Sequence, residues 1–318
     1  MNAIEVTELS KQWGQTKAVN GISFNIEEGE VFGFLGPNGA GKTTTIKMLV
    51  GLAKPTGGTA KVAGYDVVEK PRMVKKHIGV VPEQSNLYDE LTVYENLRFV
   101  SKLYHIPSTK IDQRINELLE TFKLKEYTAR RFRKLSKGLK RRTVLAAALL
   151  HEPEIVFMDE PTSGLDVLSA RRLRDLISGL ADSGVTIFLT THYIEEAGQL
   201  CDRIALLVRG DIVELDTPEA LRSHVQDTPI IEISYNGEEL TPDDLQTIKA
   251  TDIKVNRNKL SIRTENIDRA LSEFIKIAEE KGAKIQDVQT VKPGLEDAFI
   301  QLTGLSLDHM EREKEGKR

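Results

Sequence analysis

Gly36-Pro37-Asn38-Gly39-Ala40-Gly41-Lys42-Thr43, followed by Thr44, decides how the rest of this chain is read. The stretch fits the spacing G-x-x-x-x-G-K-[ST] at every fixed position. Its glycines let the backbone curl until successive N–H groups converge on an anion, and a helix opening near Gly41 aims its positive end at the same point. Lys42 is placed for β- and γ-phosphates, and Thr43 offers a hydroxyl to a divalent cation held by them. The context agrees. Residues 30–35 read as a buried strand before the loop, and Thr44-Thr45-Ile46-Lys47-Met48-Leu49 continues as a helix. The expected ligand is a nucleoside triphosphate.

At 318 residues the chain is long enough for one large domain and a smaller one. Charged residues make up 29% and the net charge is −4, so nothing global favours a nucleic acid partner. The single cysteine, Cys201, has no disulfide or zinc-ligand companion and fits a small apolar packing role in a reducing compartment. The amino terminus, Met1-Asn2-Ala3-Ile4-Glu5-Val6, lacks the basic and apolar segments of an export signal. Apolar runs such as 144–150 fall far short of the roughly 20 residues of a membrane-spanning helix, so work at a membrane would need a second, spanning chain.

Strand patterns at 22–26, 30–35, 77–81, 155–158 and 186–190 alternate with helices, which predicts an α/β domain with a mainly parallel central sheet. Between 87 and 150 the apolar spacing turns helical, through Val93, Leu97 and Val100 and then Ile115, Leu118, Leu119 and Phe122. Residues 203–215 read as a hairpin turning at Arg209-Gly210-Asp211, and the first domain, 1–225, ends soon after. A second unit, 228–303, shows strands at 230–235, 252–255, 259–263 and 284–291 and helices at 241–248 and 267–281. That order suggests a small α+β, ferredoxin-like domain. The tail, 304–318, is nearly all charged from 308 onward and reads as disordered.

Glu154-Ile155-Val156-Phe157-Met158-Asp159-Glu160 is a second chemical motif, a buried strand that delivers two carboxylates to its end. Asp159 would orient Mg²⁺ and its waters, and Glu160 would polarise the water that attacks a γ-phosphate. Between the two motifs lie Val80-Val81-Pro82-Glu83-Gln84 and Leu135-Ser136-Lys137-Gly138-Leu139, and after them come Ser163-Gly164-Leu165-Asp166 and His192.

In this order, over roughly residues 3–225, the chain resembles the ATP-binding subunit of an ABC transporter. The resemblance implies a P-loop NTPase ABC cassette with a parallel-sheet core, an antiparallel β-subdomain and a helical subdomain at about 87–150. It implies ATP and Mg²⁺ as ligands. Gln84 would sense the γ-phosphate and the metal, His192 would hold the γ-phosphate and the attacking water, and Trp13 would stack on adenine. The family signature is Leu-Ser-Gly-Gly-Gln, from which Lys137 and Leu139 depart, while Ser136 and Gly138 keep a hydroxyl and a close backbone approach. This segment, with Ser163, Gly164, Leu165 and Asp166, would face a second copy of the chain or a related subunit across a head-to-tail dimer. The segment from Gln84 to about Phe99 would grip a polytopic membrane subunit, at the cytoplasmic face of the cell membrane.

The basic run Arg130, Arg131, Arg133 and Lys134, continued by Lys137, Lys140, Arg141 and Arg142, reads as a solvated face near the dimer contact or the loops of the membrane partner, with no nucleic acid expected. Pro293-Gly294-Leu295-Glu296-Asp297-Ala298-Phe299 resembles the accessory domain of drug-resistance exporter ATPases. The implied function is the ATP-hydrolysing motor of an export-type transporter. The competing readings are a soluble superfamily member acting on ribosomes or DNA, which usually carries two cassettes or a long coiled coil, and a nucleotide-binding scaffold without turnover.

Overall fold

Alternating apolar and polar residues at the start of the chain build an antiparallel sheet, not part of the parallel core. The computed structural model describes residues 1–224, 229–237, 240–291 and 294–305. β1 (Asn2–Trp13) and β2 (Thr16–Glu27) form a long hairpin that buries Ile4, Val6 and Leu9 on one strand and Val19, Ile22, Phe24 and Ile26 on the other. Residues 22–26, read from sequence with the α/β series, thus belong to a different sheet. β3 (Val31–Leu35) and α1 (Lys42–Leu49) flank the phosphate loop. β4 (Gly57–Val62) and β5 (Tyr65–Asp66) complete the first sheet in the order β2-β1-β4-β5, and α2 (Pro71–His77) leads into β6 (Ile78–Val81).

Helices α3 (Val93–Leu103), α4 (Ser108–Thr121) and α5 (Lys137–Ala148) follow, as the 3.6-residue spacing predicts. Thr92 starts α3 with a capping box, its hydroxyl accepting from the Glu95 N–H while the Glu95 carboxylate accepts from the Thr92 N–H. The chain then returns to the sheet with β7 (Ile155–Asp159), α6 (Val167–Asp182), β8 (Thr186–Thr191), α7 (Ile194–Leu200), β9 (Arg203–Val208) and β10 (Asp211–Asp216). The order is β10-β9-β3-β8-β7-β6, parallel except for β10. Both faces are covered, so β3, β7 and β8 are buried along their whole length; residues 31–35 and 155–158 carry no polar side chain, while β8 places buried threonines at both ends. Phe24 of β2 stacks on Phe32 of β3 at 5.4 Å, and Phe34 and Phe188 close the aromatic cluster that joins the two sheets. Cys201 is buried under Gly33, where any Cβ would come within 2.5 Å of its sulfur.

The β9–β10 turn needs its glycine, because Arg209 (φ 50°) and Gly210 (φ 90°) are both left-handed. Its Gly210 N–H donates to the Ala40 carbonyl at 2.9 Å and so braces the phosphate loop.

The chain divides into compact units at Pro218/Glu219, ahead of the expected boundary near 225. The second unit holds most of α8 (Pro218–Ser223), then β11 (Ile230–Asn236), β12 (Asp252–Asn256), β13 (Lys259–Arg263), α9 (Ile267–Glu280), β14 (Lys284–Val291) and α10 (Leu295–Thr303). Its sheet is antiparallel, in the order β12-β13-β11-β14, over a core that includes Ile231, Ile233, Tyr235, Leu260, Ile262 and Phe274. The helix expected over 241–248 is a single 3-10 turn, Pro242–Leu245, capped at its start by the Thr241 N–H and hydroxyl donating to the Asp244 carboxylate. Residues 225–228, Pro293 and the charged tail lie outside the described residues.

Candidate active site

Two glycines of the phosphate loop are fixed by close backbone approach. A Cβ on Gly36 would stand 2.1 Å from the Leu207 carbonyl, and one on Gly41 (φ 109°) would stand 2.4 Å from the Ala18 carbonyl. Gly41 is the N-cap of α1 and makes no side-chain cap bond, so the first N–H groups of the helix point into the loop. Strand register brings the other groups here. Leu35 pairs with Thr191, Asp159 with Thr190 and Val81 with Met158, so the carboxyl ends of β3, β8, β7 and β6 converge on one cavity of about 610 Å³.

Within it the Lys42 ammonium, almost fully buried, donates to the Gly36 and Pro37 carbonyls at 2.6 and 3.1 Å and lies 3.2 Å from Glu160 Oε1. The Thr43 hydroxyl donates to Asp159 Oδ2 at 2.9 Å, and Asp159 Oδ1 accepts from Thr190 at 2.6 Å. Glu160 is left-handed (φ 48°), a strained state for a residue with a Cβ, and its N–H is held by the Thr190 carbonyl and hydroxyl, each at 3.1 Å. The turn aims the carboxylate between Lys42 and His192, whose Nδ1 is 2.7 Å from Glu160 Oε2. Burial pushes the Glu160 carboxyl up, but the hydrogen bond from His192 and the charge of Lys42 outweigh it and hold the group below the usual carboxylate range. An ionised carboxylate only accepts, so Nδ1 of His192 carries the proton. The oxygen donors Thr43 and Asp159 are of the kind a hard divalent cation takes.

The family model described as ABC transporter matches residues 19–163. The linearmycin resistance ATP-binding protein LnrL of Bacillus subtilis (strain 168) is 34% identical over 96% of this chain and 99% of its own length. The chain belongs to the ABC transporter ATP-binding family. Another relative of this ABC protein, a Nod factor export ATP-binding protein I of Rhizobium etli, is 36% identical over 97% of the chain and 95% of its own. A solved ATP-binding subunit of an ABC transporter matches at a TM-score of 0.64 and 31% identity, covering 70% of this chain and 92% of that one. The dimeric cassette MJ0796, in a post-hydrolysis state with ADP and phosphate, matches at 0.61 and 26%, covering 67% and 98%. The ABC family hydrolyses ATP, and this member is an ATPase.

In the ABC chain, Pro37, Asn38, Gly39, Gly41, Lys42, Thr43, Thr44, Gln84, Glu160, Ser163 and His192 line the cavity together. Gly36 and Ala40 form the loop behind them, and Asp159 is buried beneath Thr43. Trp13, Ser136, Lys137, Gly138, Gly164, Leu165 and Asp166 are not part of that lining. Trp13 is 53% exposed at the end of β1, with the Lys11 ammonium over its ring at 4.0 Å. Ser136 caps α5 by accepting from the Leu139 N–H, and Asp166 caps α6 by accepting from the Ser169 N–H at 2.9 Å. A Cβ on Gly138 would meet Ser169 Oγ at 2.8 Å, so this glycine is also demanded by the α5–α6 contact. The Lys137 ammonium lies 3.8 Å from where a Cβ on Gly164 would stand. A second cavity, of about 670 Å³ beside Lys123, Tyr127, Arg142 and Arg172, contains none of the motif residues.

Three residues of the site escaped the sequence reading. Glu83 lines the cavity next to Gln84, with only its neighbour to signal it. Glu196 is buried, accepts from the Thr191 hydroxyl at 2.6 Å, and is pushed up by burial. Arg141, read as part of the solvated basic face, is 8% exposed and turned inward, and Arg142 is half-buried with its guanidinium on the Phe122 carbonyl. The other arginines of that run do face solvent, where Arg131 and Arg133 pair with Glu90.

Proposed function

We propose that this ABC ATPase binds MgATP in the described cavity, closes on it head-to-tail with a second cassette, and drives export through a separate membrane-spanning subunit. The observation that carries the reading is the strained Glu160 carboxylate, held ionised between the phosphate-loop lysine and His192. Lys42 and the loop N–H groups would bind the phosphates. The Thr43 hydroxyl and Asp159 carboxylate would hold Mg²⁺, which when bound neutralises phosphate charge. Glu160 orients a water for attack on the γ-phosphorus as the bond to the β-phosphate oxygen breaks, giving ADP and phosphate. The water's proton passes to the Glu160 carboxylate, which the His192 Nδ1–H holds in place beside the transferred group.

Ser136, Lys137 and Gly138 on α5, with Ser163 to Asp166, would meet the nucleotide of the second cassette, a reading supported by the dimeric relative found with ADP and phosphate. Trp13 would offer the free face of its ring to adenine. The export direction is supported by relatives named for linearmycin resistance and Nod factor export. No helix among the described residues is long and apolar enough to cross a membrane, which leaves the spanning role to a partner. Gln84 to Phe99 would grip it at the cytoplasmic face, since Gln84 lines the cavity and Tyr88 and Phe99 form an exposed edge-to-face pair at 5.2 Å.

The test uses Glu160→Gln loaded with MgATP in its own cells and recovered from membranes in mild detergent. Turnover should fall about 100-fold or more, the scale of losing one positioned catalytic group, while nucleotide binding persists and a polytopic membrane protein copurifies. Normal turnover would remove Glu160 from the mechanism, and recovery of ribosomal or DNA-bound proteins alone would replace the transporter reading.

A further inference from the structure

Arg141 lies on α5, five residues after the Ser136 cap, and its guanidinium reaches under the cavity. An arginine has five N–H donors in a rigid planar fork. Here each has its own backbone carbonyl: Nε donates to Pro161 at 2.6 Å, one terminal nitrogen to Pro82 and to Glu83 at 3.2 Å, and the other to Asp159 at 3.1 Å and to Glu160. These carbonyls belong to two segments, 82–83 just beyond β6 and 159–161 running out from the last residue of β7. The β6–β7 ladder ends at Val81 and Met158, and neither Pro82 nor Pro161 has an N–H to continue it. The guanidinium ties the segments where the ladder cannot. Burial disfavours its charge, which the nearby Asp159, Glu83, Glu196 and Glu160 carboxylates support.

The consequence falls on Glu160. Its N–H is held by Thr190 and its carbonyl by Arg141 and the Ser163 N–H, so both sides of a strained backbone are pinned and the side chain leaves for Lys42 and His192 from a fixed point. The same fork fixes the carbonyl of Glu83, which lines the cavity with Gln84.

We propose that Arg141 is a positioning residue for hydrolysis: it couples the place of α5 to the aim of the Glu160 carboxylate and of the Glu83–Gln84 segment, without contributing to nucleotide binding. This rests on the reading of Glu160 as the water-orienting group. A lysine keeps a positive charge but has three donors and no plane, so it cannot span both segments.

The experiment compares the full chain with Arg141→Lys, Arg141→Met and Glu160→Gln, measuring thermal unfolding, ATP affinity and stoichiometry by calorimetry, and turnover per titrated nucleotide site. Arg141→Lys should lose ~30-fold in kcat, within the cost of a roughly 1 Å misplacement, with ATP affinity changed less than ~3-fold, and Arg141→Met should lose more. Equal losses of affinity and turnover, or normal turnover per site in a folded variant, would overturn the proposal. So would failure of both variants to fold, which would assign Arg141 to stability. The Glu160→Gln arm separates the two readings: normal turnover there sinks the Glu160 assignment, whereas an inactive Glu160→Gln beside a fully active Arg141→Lys sinks only the role of Arg141.

Discussion

Gly36 and Glu196 show how single positions at this site are decided by neighbours that sequence does not display. At Gly36 the obstacle is backbone, the Leu207 carbonyl, which cannot rotate away. Gly36→Ala is expected to cost about 1–3 kcal/mol, as overpacking does, and to weaken ATP binding by ~10-fold or more, equivalent to about 1.4 kcal/mol; chemical denaturation and calorimetry check both. Glu196 makes a pH prediction. Burial raises its carboxyl above the unfolded value of 4.5, reinforced by the nearby Glu160 charge and opposed by the Thr191 and Thr162 hydroxyls and Arg174. A raised folded pKa means that its contribution is fully present below 4.5 and is lost as pH climbs through the folded value. Glu196→Gln, which does not titrate, should therefore gain stability relative to the parent as pH rises from 4.5 toward neutrality, by about 1.4 kcal/mol for each tenfold change in proton affinity. A constant difference in melting temperature across that range would refute it. Glu160 runs the other way. Its depressed pKa keeps it charged at neutral pH, and its contribution fades only as pH falls through the folded value, below 4.5.

Among the elements, the buried parallel strands were the most legible, because a strand covered on both faces must be apolar throughout, as 31–35 and 155–158 are. The β1–β2 hairpin was half seen. Its register shifts at several points, for example between Val6 and Leu9, and this interrupts the two-residue alternation by which a strand is recognised. The phosphate loop, Asp159 and Glu160 were legible as motifs, since their chemistry fixes their spacing, whereas a lone His192 was legible only through the resemblance to the family. Arg141 was not, because a side chain buried against carbonyls leaves no pattern, and a charged run looks the same whether it faces water or peptide. The caps carry a test at this scale. Asp166 starts α6 by accepting from the Ser169 N–H and hydroxyl, which also hold its carboxyl below the usual range. Asp166→Ala should lose about 1 kcal/mol of stability and Asp166→Ser much less. If dimer formation with ATP follows the cap, Asp166→Ser will dimerise like the parent; if it needs the carboxylate, Asp166→Ser will fail while remaining folded.

At the scale of the whole chain, two compact units with separate cores imply two largely independent unfolding events. Phe274, fully buried on α9, tests this: Phe274→Ala should destabilise the second unit by about 3–5 kcal/mol and leave ATP affinity of the cassette unchanged. A single shifted transition, with weaker ATP binding, would show that the cores unfold as one. Total stability also carries the left-handed backbone of Glu160, a local cost of about 1–3 kcal/mol. Glycine, and more weakly asparagine, would relieve that cost, so folding and turnover pull in opposite directions at this position. A lineage that no longer needed to burn ATP would drift toward Gly or Asn at 160 while keeping the rest of the cassette, and the residue found there would record whether a descendant is still an engine.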